Sequence, residues 1–242
     1  MINTYNESSL HKTLKTFYSV QENALTEQKI GPYIADLLCP NGEIIEIQTK
    51  NVSKLKEKID FFIKEGHKVK VVHPVTVKKT IETYGTDFRP VSKRKSPKKE
   101  SVYTMLRELT GLTDCLLKKN FSLVILEIEC LETRIKTKEP VQLINKSRRF
   151  KKDYIIKDKS LLTIGKASVF RTKKDYLSLL PPLPEVFSSR ELSAALKKTK
   201  PAPSAWKSTS LILWLYSRAG IIERTTAPEG TKAGKTYYYR IK

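Results

Sequence analysis

Apolar side chains near the start of the chain recur at helical spacing. Leu10, Leu14, Phe17 and Tyr18 fall on one face of a helix predicted over residues 8–18, with Ser8 placed to cap it. Glu7, His11 and Lys15 recur at i, i+4 and i+8 on another face, either as a row aimed at a site or as a solvated ion-pair row. Strand-like runs follow. Residues 30–39 end at the turn signal Pro40-Asn41-Gly42. Residues 43–49 alternate, with Ile45 and Ile47 on one side and Glu46 and Gln48 opposite. Asn51 is placed to cap a helix over residues 52–65, stopped by Gly66, and residues 69–75 read as a buried strand. The order is helix, strands, helix, strand.

Residues 89–99 break the pattern with two prolines and a run of like charge, and read as a linker or exposed loop. A helix is expected over residues 101–119 and a strand over residues 121–131. The C-terminal part has a different rhythm. A short helix over residues 173–180 ends at Pro181-Pro182. Ser188 and Glu191 form a capping box for a helix reaching residue 198. A longer helix over residues 204–219 stops at Gly220, and strands over residues 221–225 and 236–241 flank Pro228-Glu229-Gly230. Three helices and a two-stranded hairpin predict a winged helix-turn-helix. The division expected is a core at residues 1–88, a basic loop, helix and strand extending it at residues 89–170, and the winged helix at residues 171–242.

Charge sharpens this division. The 242-residue chain carries a net charge of +21. Residues 1–88 hold 12 basic and 11 acidic side chains, whereas residues 89–242 hold 34 and 14. So large a surplus calls for a polyanion, and nucleic acid fits better than a membrane, because no segment is long and apolar enough to anchor the chain. Six of the basic residues fall within 89–99, without an acid, and Lys93, Arg94, Lys95 and Lys98 are expected to meet phosphates. On the helix over residues 204–219, Ala205, Ser208, Leu211, Ile212, Leu215 and Ala219 are expected to be buried. The opposite face carries Trp206, Lys207, Ser210, Trp214 and Arg218. Lys207 and Arg218 are expected to contact duplex DNA, as are Lys232 and Lys235 of the wing. The tryptophans suit either DNA or docking onto the rest of the chain.

Cys39, Cys115 and Cys130 are far apart and odd in number, which fits reduced thiols in a cytoplasmic protein better than disulfides or zinc. His73, before Pro74, fits a strand end better than a ligand position.

Candidate chemistry sits in the N-terminal part. Asp36 and Glu46 lie ten residues apart across one tight turn, and a hairpin there brings the two carboxylates together. Paired carboxylates hold a hard dication such as magnesium, which polarises a phosphate and acidifies water. The segments Tyr33-Ile34-Ala35-Asp36 and Glu46-Ile47-Gln48 resemble the PD-(D/E)XK superfamily of restriction-endonuclease-like nucleases, in which an Asp on one strand precedes Glu-x-Lys on the next. The wording is similar to that of a bacterial family joining such a core to a C-terminal winged helix. The matching segments are Glu7-Ser8-Ser9-Leu10-His11, Leu14-Lys15, Glu46-Ile47-Gln48-Thr49-Lys50-Asn51, Val71-Val72-His73-Pro74 and Arg94-Lys95-Ser96-Pro97-Lys98.

The resemblance implies an α/β (α+β) fold, a restriction-endonuclease-like core of a mixed sheet flanked by helices, beside the winged helix. It implies a deoxyribonuclease in which Asp36 and Glu46 bind Mg2+ or Mn2+, assisted by Glu7. It leaves a homodimer open, since nucleases of this fold often pair to cut both strands. The motif's Lys is Gln48 here. Gln48 can orient an attacking water but adds no charge, and Lys50 or Lys15 are the candidates to supply it. The departure keeps a second reading in play, a non-catalytic DNA-binding scaffold or regulator on a degenerate nuclease fold.

Overall fold

A computed structural model describes residues 8–143, 151–202, 204–228 and 236–242. Helix α1 spans Ser9–Gln21, and the Ser8 hydroxyl accepts from His11 N, as its sequence position predicts. Strands β1 (Leu25–Ile30), β2 (Tyr33–Leu38) and β3 (Ile44–Ile47) form an antiparallel meander. The strand expected at residues 30–39 is split at Gly31, whose φ of +56° makes the turn into β2. A 3-10 turn (Val52–Leu55) and helix α2 (Lys56–Lys64) then carry the chain to β4 (Val69–Tyr84), which runs parallel to β3. Asn51 is itself left-handed, with φ 53°, and its side chain makes no cap bond, so the expected N-cap is corrected.

β4 is twice as long as the sequence pattern suggested. Its first half pairs β3, and its second half pairs β5 (Pro90–Lys95) in a hairpin. The basic linker expected at residues 89–99 is therefore largely an edge strand. Every side chain of β5 is exposed, which erases the alternation by which strands are read, and its lysines suit an edge that must not pair further.

The single helix expected over residues 101–119 is also corrected. The chain forms one turn of helix α3 (Val102–Met105) and a 3-10 segment (Leu106–Gly111). Tyr103, Leu106, Leu109, Leu112 and Cys115 are all buried, a period of three that suits 3-10 geometry better than 3.6. β6 (Phe121–Gln142) lies parallel to β4 on its other side, and β7 (Lys151–Phe170) returns antiparallel to β6. The sheet has seven strands, ordered β1-β2-β3-β4-β6-β7 with β5 beside β4.

Alternation places apolar side chains on both faces of the sheet. Ile45, Ile47, Val72, Val124 and Leu126 pack with Leu10, Leu14 and Tyr18 of α1. Ile44, Val71, Leu123 and Ile125 pack with Ile59 and Phe62 of α2 and with Leu106 and Leu109. Each such side chain contributes roughly 1.5–3 kcal/mol of burial.

The C-terminal segment forms α4 (Lys173–Leu177), β8 (Val186–Ser188), α5 (Ser189–Thr199), a 3-10 turn (Ala205–Ser208), α6 (Thr209–Arg218), β9 (Ile222–Thr225) and β10 (Tyr238–Ile241). Ser188 and Glu191 close the predicted capping box on α5. β8, β10 and β9 form a three-stranded antiparallel sheet in that order. β8 was not anticipated, being only three residues long. The buried face of the α6 region is Ala205, Thr209, Ile212, Leu213, Leu215 and Tyr216. Ser208, Leu211 and Ala219 are therefore less buried than expected, because the 3-10 turn offsets the face. This segment shares one continuous apolar core with the α2 side of the large sheet. Polar bonds cross the seam: Tyr103 Oη donates to Leu179 O at 2.6 Å and Ser208 Oγ to Tyr103 O at 3.3 Å.

Candidate functional site

β2 and β3 are joined at Leu37–Ile45 and Leu38–Ile44. One step further the ladder opens. There Asp36 N donates to Glu46 Oε1 at 3.2 Å, and Ile47 N donates to Asp36 Oδ2 at 2.9 Å. Two carboxylates thus take over hydrogen bonds that strand partners would otherwise make. On the other side of β2, Glu27 sits between the paired residues Thr26 and Gln28 with φ 53°, so the irregularity continues into β1.

Each flanking helix sends one donor to this opening. Lys58 of α2 lies 2.6 Å from Glu46 Oε2. His11 of α1 places Nε2 2.6 Å from Ile47 O and 3.5 Å from Asp36 Oδ2. The cluster is well shielded: Glu46 is 2% exposed, and the side chains of His11, Lys58 and Asp36 are 14%, 17% and 20% exposed.

The two acids are driven apart electrostatically. Burial raises the Asp36 carboxyl, but bonds from His11 and Ile47 N and the charges of His11 and Lys58 outweigh it, leaving Asp36 below the usual carboxylate range. Burial, then the Asp36 charge, push Glu46 up to about 7 against the opposing pull of Lys58. One acid is firmly ionised and its neighbour is poised near neutrality, a pattern that clusters at functional sites.

Of the residues singled out in the sequence, Asp36 and Glu46 meet. Gln48 does not join them, since its Nε2 donates to Lys50 O and closes its own turn. Lys50 lines a separate basic cavity with Thr49. Lys15 pairs with Glu27 at 3.1 Å. Glu7, Lys232 and Lys235 lie outside the described residues. His73 is buried, with Nδ1 2.6 Å from Gln48 O, and burial holds it below its ordinary pKa; it lies within β4 rather than at a strand end, because β4 continues past Pro74 to Tyr84. Cys39, Cys115 and Cys130 are free and buried, as expected.

Lys58 was missed because it stands on a helix, outside the strand motif. Its signal was its position one residue before buried Ile59, at the border of the apolar face of α2. Among the described residues no group of three or more His, Cys, Asp or Glu side chains is set to hold a metal. The nearby hard oxygens are the two carboxylates and the Ile47 carbonyl, and His11 Nε2 faces both that carbonyl and Asp36.

The basic residues fall on two other surfaces. Lys93, Arg94 and Lys95 stand on exposed β5, with Lys93 2.8 Å from Glu82, and Lys98 lies 3.4 Å from Glu100. Lys207 and Arg218 stand near opposite ends of the α6 region, exposed together with Trp206 and Trp214. Lys197 Nζ sits 4.6 Å from the Trp206 ring centre, and the Arg224 guanidinium sits 3.8 Å from that of Tyr237. No helix among the described residues is long and apolar enough to cross a membrane.

Residues 8–171, from the cap of α1 to just past β7, match the family described as a domain of unknown function, DUF8091. An uncharacterized protein of Treponema pallidum (strain Nichols) is 32% identical over 193 residues, which cover 79% of this chain and 73% of that protein. No solved structure matches significantly.

Proposed function

The chain belongs to the DUF8091 family, and from the geometry of its acid pair we propose that it is a DNA-binding protein with a metal-dependent phosphodiesterase centre of the PD-(D/E)XK type at Asp36 and Glu46. The observation that carries the reading is the meeting of Asp36 and Glu46 where the β2–β3 ladder opens, with Lys58 at 2.6 Å. The surrounding order supports it: a helix, a three-stranded meander, a helix, and a strand parallel to the third. The motif lysine, replaced in sequence by Gln48, has its counterpart in Lys58, whose ammonium reaches the same carboxylate from α2.

Asp36, Glu46 and the Ile47 carbonyl form a hard-oxygen set suited to Mg2+ or Mn2+, which when bound would supply Lewis acidity and an acidified water. The chain's own contributions follow from placement. Asp36 is held ionised by His11 and Ile47 N. Glu46 is near neutrality in the metal-free site, so holding the dication would require it to give up its proton. Lys58 is positioned to stabilise negative charge developing on a phosphate, which Gln48 is not.

The C-terminal segment supports a winged-helix reading. In chain order the strands of its β8-β10-β9 sheet flank α5 and α6, and the 3-10 turn with Trp206 and Lys207 and α6 with Trp214 and Arg218 present these side chains to solvent, as a helix that reads a DNA groove does. The test is full-length protein incubated with duplex, single-stranded and branched DNA in Mg2+ or Mn2+, beside Asp36→Asn and Lys58→Met. Nicking or cutting by the wild type, abolished by Asp36→Asn and strongly slowed by Lys58→Met, is expected. DNA binding without cleavage of any substrate would replace this reading with a non-catalytic scaffold.

A further inference from the structure

A second cluster of charge lies past the end of β3. Lys50, Lys79, Lys98 and Lys159 line a cavity of about 130 Å3 with Thr76 and Glu100. Glu100 is already engaged, accepting from Thr76 N at 3.2 Å and lying 3.4 Å from Lys98. Behind the cavity, Glu132 is 2% exposed and collects Lys79 at 2.9 Å, Arg134 Nε at 2.8 Å and Lys159 at 3.7 Å. Three cations therefore share one buried carboxylate, and Lys50 brings a further charge to the mouth. Burial, with the charges of Lys79 and Lys50, holds the Lys159 ammonium below its ordinary pKa even against Glu132.

An excess of half-buried positive charge costs free energy unless an anion answers it. The cavity is the size of one small anion, and its four lysines come from the end of β3, from β4, from the loop after β5 and from β7. A surface that merely keeps the protein dissolved would not converge lysines from four places on one small hollow. Lys50 lies four residues beyond Glu46, at most about 14 Å of extended chain. One polyanion can therefore reach both places.

We propose that this cavity is a phosphate-binding site, and that it takes a backbone phosphate of the nucleic acid engaged at Asp36 and Glu46. The second clause rests on the function proposed above; the first does not. Lys50 and Lys98 at the rim make the entering contacts, while Lys79 and Lys159, pre-positioned by Glu132, form the floor. Lys50 thereby has a role in phosphate contact, separate from the acid pair.

The experiment uses the full chain, the surface double variant Lys50→Gln/Lys98→Gln, and Lys159→Met. Thermal melts in inorganic phosphate against chloride at matched ionic strength read the cavity alone. Duplex-binding titrations across salt read the backbone phosphate. The expected result is a rise in wild-type melting temperature with phosphate that both variants lose. Duplex affinity of the double variant should fall about tenfold, with the slope of log K against log salt smaller by about 0.9 for each contact removed. A fall in affinity and slope without an inorganic phosphate effect also supports the proposal, and assigns the cavity to chain phosphates. Phosphate stabilisation lost in the variants, in a protein that binds no duplex, keeps the cavity as a site for free phosphate and removes the DNA reading. Should Lys159→Met not fold, the double variant decides, because its side chains lie at the surface. Wild-type protein indifferent to phosphate, with variants that bind duplex as the wild type does, overturns the proposal.

Discussion

Replacing Glu46 by Gln should favour the metal-free protein more in alkali than in acid. Glu46 is 2% exposed, and its carboxyl moves from an ordinary value of 4.5 to about 7 in the fold. The folded chain then holds this proton more tightly than the unfolded chain. The contribution of the protonated form is fully present below pH 4.5 and drains away as pH rises through 7. At about 1.4 kcal/mol per pH unit, the loss is on the order of 3 kcal/mol at pH 8.5. Gln is neutral at every pH and so escapes that loss, although its single amide oxygen can accept from Lys58 or from Asp36 N but not from both, a fixed cost shared by acid and alkali. For a chain of this length each kcal/mol moves the melting temperature by about 2–4 °C, so the shift from wild type should be roughly 6–12 °C more favourable at pH 8.5 than at pH 4.5. The assay is a pair of thermal melts with a chelator present. Asp36→Asn is the internal contrast: the Asp36 carboxyl lies below its ordinary 3.8, so its ionised form adds stability above that pH that is lost as pH falls through the folded pKa. Asn should therefore destabilise at neutral pH. A Glu46→Gln variant whose shift from wild type is the same at both pH values, or less favourable at pH 8.5, would refute the electrostatic account.

Lys207→Ala and Arg218→Ala, both exposed on the α6 region, should weaken duplex binding in an anisotropy titration while stability stays within about 0.5 kcal/mol of wild type; unchanged affinity would move the DNA surface elsewhere. Tyr216→Phe removes the bond from a fully buried hydroxyl to Tyr176 O at 2.6 Å and should cost about 1–3 kcal/mol in denaturant unfolding, because the carbonyl is left without that donor. Gly111→Ala would place a Cβ 2.6 Å from Ser53 Cβ and 3.3 Å from its Cα, so overpacking should cost about 1–3 kcal/mol; a stable Ala variant would show that this seam is free to shift.

The parts of the fold legible in sequence were those where one local rule acts alone. Ser8 and the Ser188–Glu191 box marked helix starts, and the alternation around Ile45 and Ile47 marked β3. Asp36 and Glu46 were legible as a pair because a tight turn joins their strands. The parts that were not legible depend on contacts distant in sequence. β5 has no buried side, so no pattern announces it. The period of three from Tyr103 to Cys115 was readable in principle but resembles a helix when only leucines are counted. Lys58 reaches Glu46 across a helix-to-sheet packing that spacing within one strand does not encode. Gln48 and Lys50 share a strand parity with Glu46, yet β3 ends at Ile47, and beyond it parity ceases to predict direction.

A cut after Arg171, where the family match ends, would not separate two self-sufficient pieces. The larger piece would turn Tyr103, Leu106 and Leu109 toward water, and the smaller one Tyr176, Leu215 and Tyr216, since both sets belong to one core. Apolar faces of that kind drive association rather than solubility. Residues 101–116 are therefore a shared layer, packed on the α2 side of the large sheet and on residues 173–242 at once. A chimera that swaps the tail alone would inherit a mismatched seam, and one that swaps residues 101–116 with it would move the mismatch to the contacts of Glu108 with Val52 and Ser53.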